Sequence, residues 1–319
     1  MNNKVLLDLY ENILKIRLTE EEISKRYSEN QMRCPTHLSI GQEAVAAAYA
    51  SVVNKKDYAV STHRGHAHYI AKGGNLNALI AEIYGKKTGC SKGKGGSMHL
   101  IDLDVNFMGT SAIVGNSIPI GVGLGLSEKL LNKKNLSTIF IGEGATEEGV
   151  FFESINFAIV KELPVLFICE NNLYSVYSSL KDRQPKNRKI YQMVNSFGVN
   201  SSACNGNNAL ECYDSISKAF KYVKSKSKPF FLECKTYRHL EHCGPNNDDN
   251  LNYRPTSQIK YWRKNDPILN ISNVVHKKFS KTKLINIENK LKKEIEAAFN
   301  FAKKSKFPSE IEAFKGNYA

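Results

Sequence analysis

The chain has 319 residues and a formal net charge of +14, from 45 Lys and Arg against 31 Asp and Glu. That length supports a large α/β interior, and no Gly/Ser/Pro-rich linker or repeat divides it, so a single domain over 1–319 is expected. No run of about twenty apolar residues is available to span a membrane. The lysine excess is scattered through polar and helical stretches such as 277–283 and 290–304, without the aromatic-interleaved basic stripe of a nucleic-acid binder, so neither membrane nor nucleic acid is expected as a partner.

In chain order, residues 3–29 carry apolar positions at helical spacing, and Thr19-Glu20-Glu21-Glu22 suits a helix start. The N-terminal stretch contains acidic residues and is unlike a signal peptide. With seven cysteines and no Cys-x-x-Cys pair, reduced thiols in a cytoplasmic protein are expected. A loop around 32–39 leads into a helix of small residues at 41–53. Residues 56–62 read as a strand entering a segment with His63, Arg64, His66 and His68. A helix is expected at 76–84, then a Gly/Lys loop at 85–96. The stretch 115–131 reads as a helix, tightly packed because of the small residues at 121, 123 and 125. Residues 186–200 read as connecting structure, 211–224 as a helix and 229–235 as a strand. A Gly-Pro step and an Asn/Asp run predict a mobile loop over 238–254, and helices fill 257–319.

The centre of the chain is the most informative part. An apolar run at 137–141 and another at 164–169 predict two strands, with an amphipathic helix over 147–162 between them. Gly142-Glu143-Gly144 and Asn171-Asn172 then stand at the carboxyl ends of those strands, the edge of a parallel sheet where ligands bind. A carboxylate and an amide oxygen suit Mg²⁺ alongside phosphate oxygens, and small Gly and Ala residues let the backbone approach a diphosphate. The spacing thus predicts a metal–diphosphate site. The His63–His68 cluster admits a zinc reading if His66 and His68 share one face of a strand. No second Cys/His pair follows, however, and Arg64 is better suited to phosphate.

These residues stand in a wider pattern: "THLSIGQEA" (36–44), "STHRGHAHYIAKG" (61–73), "GCSKGKGGSMHL" (89–100), "AIVGNSIPIGVGLGL" (112–126), "GEGATEEGVFFESINFAIVKELPVLFICENNLYSV" (142–176), "KTYRHLEH" (235–242) and "NDPI" (265–268). From about Leu9 to Pro267 the chain resembles the alpha subunit of thiamine diphosphate-dependent 2-oxo acid dehydrogenases of the pyruvate and acetoin type, as a divergent member. The resemblance implies an α/β thiamine diphosphate-binding fold: a mostly parallel sheet flanked by helices, with helical extensions at about 1–30 and 257–319. It implies thiamine diphosphate and Mg²⁺ as cofactors. Glu143, in place of the usual Asp, would bind the metal with Asn172 and the backbone carbonyl of Tyr174. Gly142, Gly144 and Ala145 would lie against the diphosphate, with His63, Arg64, Arg238 and His242 in contact with the cofactor. Val114 would offer its backbone to the aminopyrimidine ring, and Val176 would prop the cofactor in its bent shape. His37 and His242 would relay protons, as groups that titrate near neutrality.

The resemblance also implies an incomplete enzyme. The glutamate that activates the pyrimidine ring comes from a beta subunit, in an assembly of two alpha and two beta chains. The substrate is then a small 2-oxo acid or acyloin, cleaved beside its carbonyl, with the acyl unit passed to a lipoyl acyltransferase. Two other readings stay open: a thiamine-dependent carboligase in sugar or surface-polysaccharide synthesis, and a cofactor-binding regulatory subunit without catalysis. The loop after Arg238 departs from the family, with Leu240, Glu241 and Cys243 where a histidine, a glycine and a phosphorylatable serine are usual. Glu241 and the Asp248-Asp249 pair are expected to put negative charge at the pocket mouth.

Overall fold

The structure, a computed structural model, describes residues 2–32 and 34–315. The first half of the chain runs through α1 (Asn3–Arg26), α2 (Glu43–Ala50), β1 (Tyr58–Thr62), α3 (His66–Ala71), α4 (Leu76–Ile83), β2 (Phe107–Ser111), α5 (Ser117–Leu130), β3 (Ser137–Gly142) and α6 (Gly149–Val160). The second half adds β4 (Val165–Asn171), a hairpin of β5 (Tyr174–Ser175) and β6 (Ser178–Ser179), α7 (Leu180–Arg183), α8 (Ile190–Ser196), β7 (Asn200–Asn205), α9 (Ala209–Lys226), β8 (Phe230–Lys235), α10 (Thr256–Lys264), α11 (Pro267–Val275) and α12 (Lys281–Lys304).

Six strands form one sheet in the order β2-β1-β3-β4-β8-β7, and every neighbouring pair is parallel. Parallel strands need covered faces, and the side-chain alternation shows how each face is covered. Phe140, Leu166 and Ile168 point into the interior that α1, α2, α9 and α12 share. Ile139, Ile141, Val165 and Phe167 point the other way, into the layer formed by α5, α6 and α8. The result is a three-layer helix–sheet–helix sandwich, the mostly parallel fold expected from the sequence.

Two glycines decide how close α5 lies to the sheet. A Cβ at Gly121 would collide with Ile139 and Val60, and one at Gly125 with Val165. Gly123, on the opposite side of the helix, meets nothing. The small-residue stripe is therefore split: Gly121 and Gly125 seat the helix, while Gly123 faces outward beside exposed Ile120.

Three expectations change. Thr19–Glu22 starts no helix; it lies inside α1, where buried Glu20 accepts from the Ser39 N–H and contacts His66 Nδ1 at 3.1 Å. Residues 186–200 are more than a connection, since they hold α8 and the first residue of edge strand β7. The 238–254 segment, expected to be mobile, is anchored on both sides. His239 N donates to Ile40 O at 2.9 Å, Gly244 N to Thr36 O at 2.8 Å and Ser24 Oγ to Pro245 O at 3.0 Å. Among the described residues no helix is long and apolar enough to cross a membrane.

Candidate functional site

The sheet order reverses between β1 and β3: the chain passes from β1 outward to β2, then returns to place β3 on the other flank of β1. Such a switch point opens a crevice at the carboxyl ends of the strands. Here it holds about 690 Å³ of space, part of it open to solvent.

One wall comes from the β3–β4 side. Gly142 ends β3 and Glu143, Gly144 and Ala145 follow it, while Glu170 lies near the end of β4 and Asn172, Tyr174 and Ser175 follow that strand, and all eight line the cavity. A Cβ at Gly142 would meet nothing, so the backbone there presents open space to a ligand. The Glu143 carboxylate is 2 % exposed. Burial pushes its pKa up, and the Arg183 guanidinium opposes that shift by donating to Oε1 at 2.7 Å. Asn172 Oδ1 accepts from the Tyr174 N–H at 3.1 Å, which curls the chain after β4 back toward the cavity. Val176 sits at the tip of the hairpin with φ of 54°, in the left-handed region that disfavours a β-branched residue. It is half-exposed, next to the site rather than in its lining.

The other wall is cationic and rich in imidazole. His63, Arg64, Val114 and His242 all line the cavity. His37 stands just behind, with its ring centroid 4.7 Å from that of His63 and 5.1 Å from that of His242. One ring nitrogen from each of these three histidines falls within 4.8 Å of the others. Buried His37 Nδ1 has no hydrogen-bond partner. Arg64 is buried, donating to Leu38 O at 2.5 Å and to His242 O at 3.0 Å. Burial and the nearby Arg238 lower its pKa to about 9, which leaves it charged at neutrality.

Burial, followed by the charge on Arg64, drives His37 down to about 2, His63 to about 4 and His242 to about 3. All three are neutral imidazoles at physiological pH, not groups half-titrated near 7 as the sequence suggested. A neutral imidazole accepts at one ring nitrogen and offers the N–H of the other as a donor.

Several site residues sit differently from expectation. Arg238 does not line the cavity. Its guanidinium donates to Leu240 O, to Val176 O at 3.3 Å and to Tyr253 Oη at 3.0 Å, which binds the 238–254 loop to the hairpin. His66 and His68 lie on α3, not on a strand, so the zinc arrangement of the two side by side does not form. His66 Nε2 bonds Ser97 Oγ at 2.8 Å, and His68 bonds Ser61 Oγ at 2.7 Å while stacking on Phe140. None of the acids expected at the mouth, Glu241, Asp248 and Asp249, is among the residues that line the cavity. Asp248 pairs with Arg254, Asp249 with Arg263, and Glu241 Oε1 accepts from the Asn246 N–H at 2.8 Å.

Two residues escaped the sequence reading. Gln42, inside the quoted "GQEA" segment, lines the cavity with its Nε2 buried and unpartnered, while its Oε1 accepts from Thr236 Oγ1 at 2.9 Å. Arg183 bridges Glu143 and Glu147 from the end of the hairpin arm, and no motif marks it.

Comparison with known proteins gives the family. The dehydrogenase E1 component family matches residues 11–311. The chain is 37 % identical to a pyruvate dehydrogenase E1 component subunit alpha from Rickettsia bellii, over 97 % of this chain and 94 % of that protein. It is 34 % identical to the alpha subunit of acetoin:2,6-dichlorophenolindophenol oxidoreductase from Bacillus subtilis, over 97 % and 92 % of the two chains. A pyruvate dehydrogenase E1 component subunit alpha from Zymomonas mobilis is 30 % identical over 97 % of this chain and 87 % of its own. Matched by the family over residues 11–311 and by relatives almost end to end, the chain belongs to the dehydrogenase E1 component family.

Proposed function

We propose that this chain is the alpha half of an enzyme that cleaves a small 2-oxo acid or acyloin beside its carbonyl and hands on the acyl unit. As a family member it is an alpha-type subunit of a thiamine diphosphate-dependent, dehydrogenase-type enzyme whose partner is a beta-type subunit. The observation that carries the reading is the two-walled cavity, with carboxylate and amide oxygens on one side and Arg64 with neutral imidazoles on the other. The residues fit the cofactor. Open backbone at Gly142, the buried Glu143 carboxylate, Asn172 and the charged Arg64 converge on one space, and Gln42 offers an unpartnered donor.

When bound, thiamine diphosphate supplies the electron sink that lets the bond beside a carbonyl carbon break. The chain's own residues bind, orient and move protons. Glu143, Asn172 and the Tyr174 carbonyl would hold Mg²⁺, and Gly142, Gly144 and Ala145 would lie against the diphosphate. Arg64 and His63 would receive the phosphate oxygens. Val114, in the lining, and Val176, next to it, would flank the ring end. His37 and His242 are weak bases in the cofactor-free chain and take up protons only when an anion faces their rings, and Arg238 keeps the His242 loop against the hairpin.

The exposed face of α5 and α6 supports a two-chain enzyme. Ile120 on α5 and Phe152, Phe157 and Val160 on α6 lie at the surface, as does Gly123, and Ile113 and Val114 are exposed near the cavity. Such an apolar patch is the mark of a partner interface. We assign it to the beta chain, in an assembly of two alpha and two beta subunits. All seven cysteines are free thiols, which suits a cytoplasmic enzyme.

The test is reconstitution with a beta-type subunit. Pyruvate or acetoin, given with thiamine diphosphate, Mg²⁺ and a lipoyl acyltransferase domain, is expected to yield acylated lipoamide. Carboligation appears instead as a condensed product when an aldehyde or sugar acceptor replaces the lipoyl domain. Tight cofactor binding with no consumption of any 2-oxo acid or acyloin would leave only a regulatory subunit.

A further inference from the structure

The carboxylate assigned to the metal is already paired. Arg183 Nη2 donates to Glu143 Oε1 at 2.7 Å, while Nη1 donates to Glu147. Both the carboxylate and the guanidinium are shielded, with side-chain exposures of 2 % and 14 %. Nothing about this pairing is local in sequence, since it joins the turn after β3 to the end of the hairpin arm. Arg183 Nε donates to Ser178 O of the arm at 3.3 Å, and the arm has bonds of its own besides: Leu180 N donates to Leu173 O at 2.8 Å, and Tyr174 and Ser179 pair across the hairpin. Glu147 is held in turn by Gln184 Nε2 at 2.9 Å.

A buried carboxylate without a counter-charge is strongly unfavourable, so Glu143 in the metal-free chain requires a cation. Arg183 is that cation. A divalent ion on the same oxygen would stand within a few ångströms of the guanidinium, and the two repel. We propose that Arg183 is a resident counter-cation of Glu143 that the divalent metal must displace, and that Glu147 receives the displaced guanidinium. The affinity of the site for metal is then set by how Arg183 divides itself between the two glutamates. This also gives the longer side chain at 143 a physical role, since it reaches an arginine on the arm while facing the cavity. The inference rests on the cofactor reading above and deepens it.

The experiment titrates Mn²⁺ into the reconstituted alpha–beta enzyme at saturating thiamine diphosphate, read by calorimetry and by the electron paramagnetic resonance signal of free Mn²⁺. Arg183→Gln removes the competitor, and its Mn²⁺ dissociation constant is expected to fall about tenfold or more. Glu147→Gln removes the alternative partner and concentrates Arg183 on Glu143, so its constant is expected to rise. Opposite shifts from two changes on one ion-pair chain are not produced by a loss of packing. If Arg183→Gln does not assemble, Glu147→Gln carries the test alone. A dissociation constant unchanged or raised in Arg183→Gln, or unchanged or lowered in Glu147→Gln, overturns the proposal. If the unmodified enzyme binds thiamine diphosphate and Mn²⁺ but the variants do not shift, only the role of Arg183 falls. If the unmodified enzyme binds neither, the cofactor reading falls as well.

Discussion

At the scale of single residues, Glu82 shows what a motif can conceal. The segment 89–96 is rich in glycine and lysine, a composition that suits a phosphate loop. Its N–H groups instead turn inward onto the buried Glu82 carboxylate. Oε2 accepts from Ser91 at 2.8 Å and Gly93 at 2.9 Å, and Oε1 from Gly95 at 2.7 Å and Gly96 at 3.2 Å. Removing that acceptor strands four donors, so Glu82→Ala is expected to destabilise the chain by about 3 kcal/mol or more in urea unfolding. A loss below about 1 kcal/mol would mean that the loop does not lean on the carboxylate. Glu143 differs in how much of its setting is local. The sequence could place Glu143 at the cavity because the strand end and the neighbouring glycines are local features. It could not reveal Arg183, since 40 residues separate the partners. Nor could it reveal that Arg238, a charge that reads as phosphate-binding, has its donors taken up by Leu240, Val176 and Tyr253.

At the scale of elements, legibility follows burial. Every residue of β3 from Ser137 to Ile141 is buried, and the apolar run announces the strand. Edge strands β2, Phe-Met-Gly-Thr-Ser, and β7, Asn-Ser-Ser-Ala-Cys-Asn, are mostly half-exposed, β2 with only two apolar residues at its start and β7 largely polar, so neither carries a readable pattern. The glycines of α5 were legible as tight packing, but not as a split between two faces. That split makes a paired prediction. Gly121→Ala drives a methyl into Ile139 and Val60 and is expected to cost about 1–3 kcal/mol in the isolated chain. Gly123→Ala meets nothing within the chain and is expected to leave it as stable or firmer by about 1 kcal/mol, as alanine favours helix. If this face receives the beta subunit, the same substitution weakens alpha–beta assembly, measured by sedimentation. Unaltered assembly in Gly123→Ala and in a second variant, Ile120→Asp, would remove α5 from the interface.

At the scale of the whole molecule, the site leaves a signature in the dependence of stability on pH. Folding buries His37, His63 and His242 beside Arg64 and holds them neutral, with pKa values near 2, 4 and 3 against the ordinary imidazole value of 6.5. Their contribution is fully present above about 6.5, where folded and unfolded chains alike carry neutral imidazoles. As pH falls below that value the unfolded chain binds protons that the folded chain refuses, so stability declines toward pH 4. Below 4, His63 also begins to take up its proton in the folded state, and its share of the decline levels off. Across the window from 6.5 to 4 these three side chains alone contribute a slope approaching three protons. Urea midpoints of the isolated chain from pH 8 to 4 read that slope directly. Replacing any one of the three by Gln is expected to reduce it by about one proton, because a neutral amide has no proton to refuse. A slope unchanged in all three single variants would mean that the imidazoles are already charged in the folded chain. Bound diphosphate alters the same balance in a known direction, because an anion facing these rings favours their protonated form. The acid decline of the cofactor-loaded enzyme is therefore expected to be shallower than that of the isolated chain.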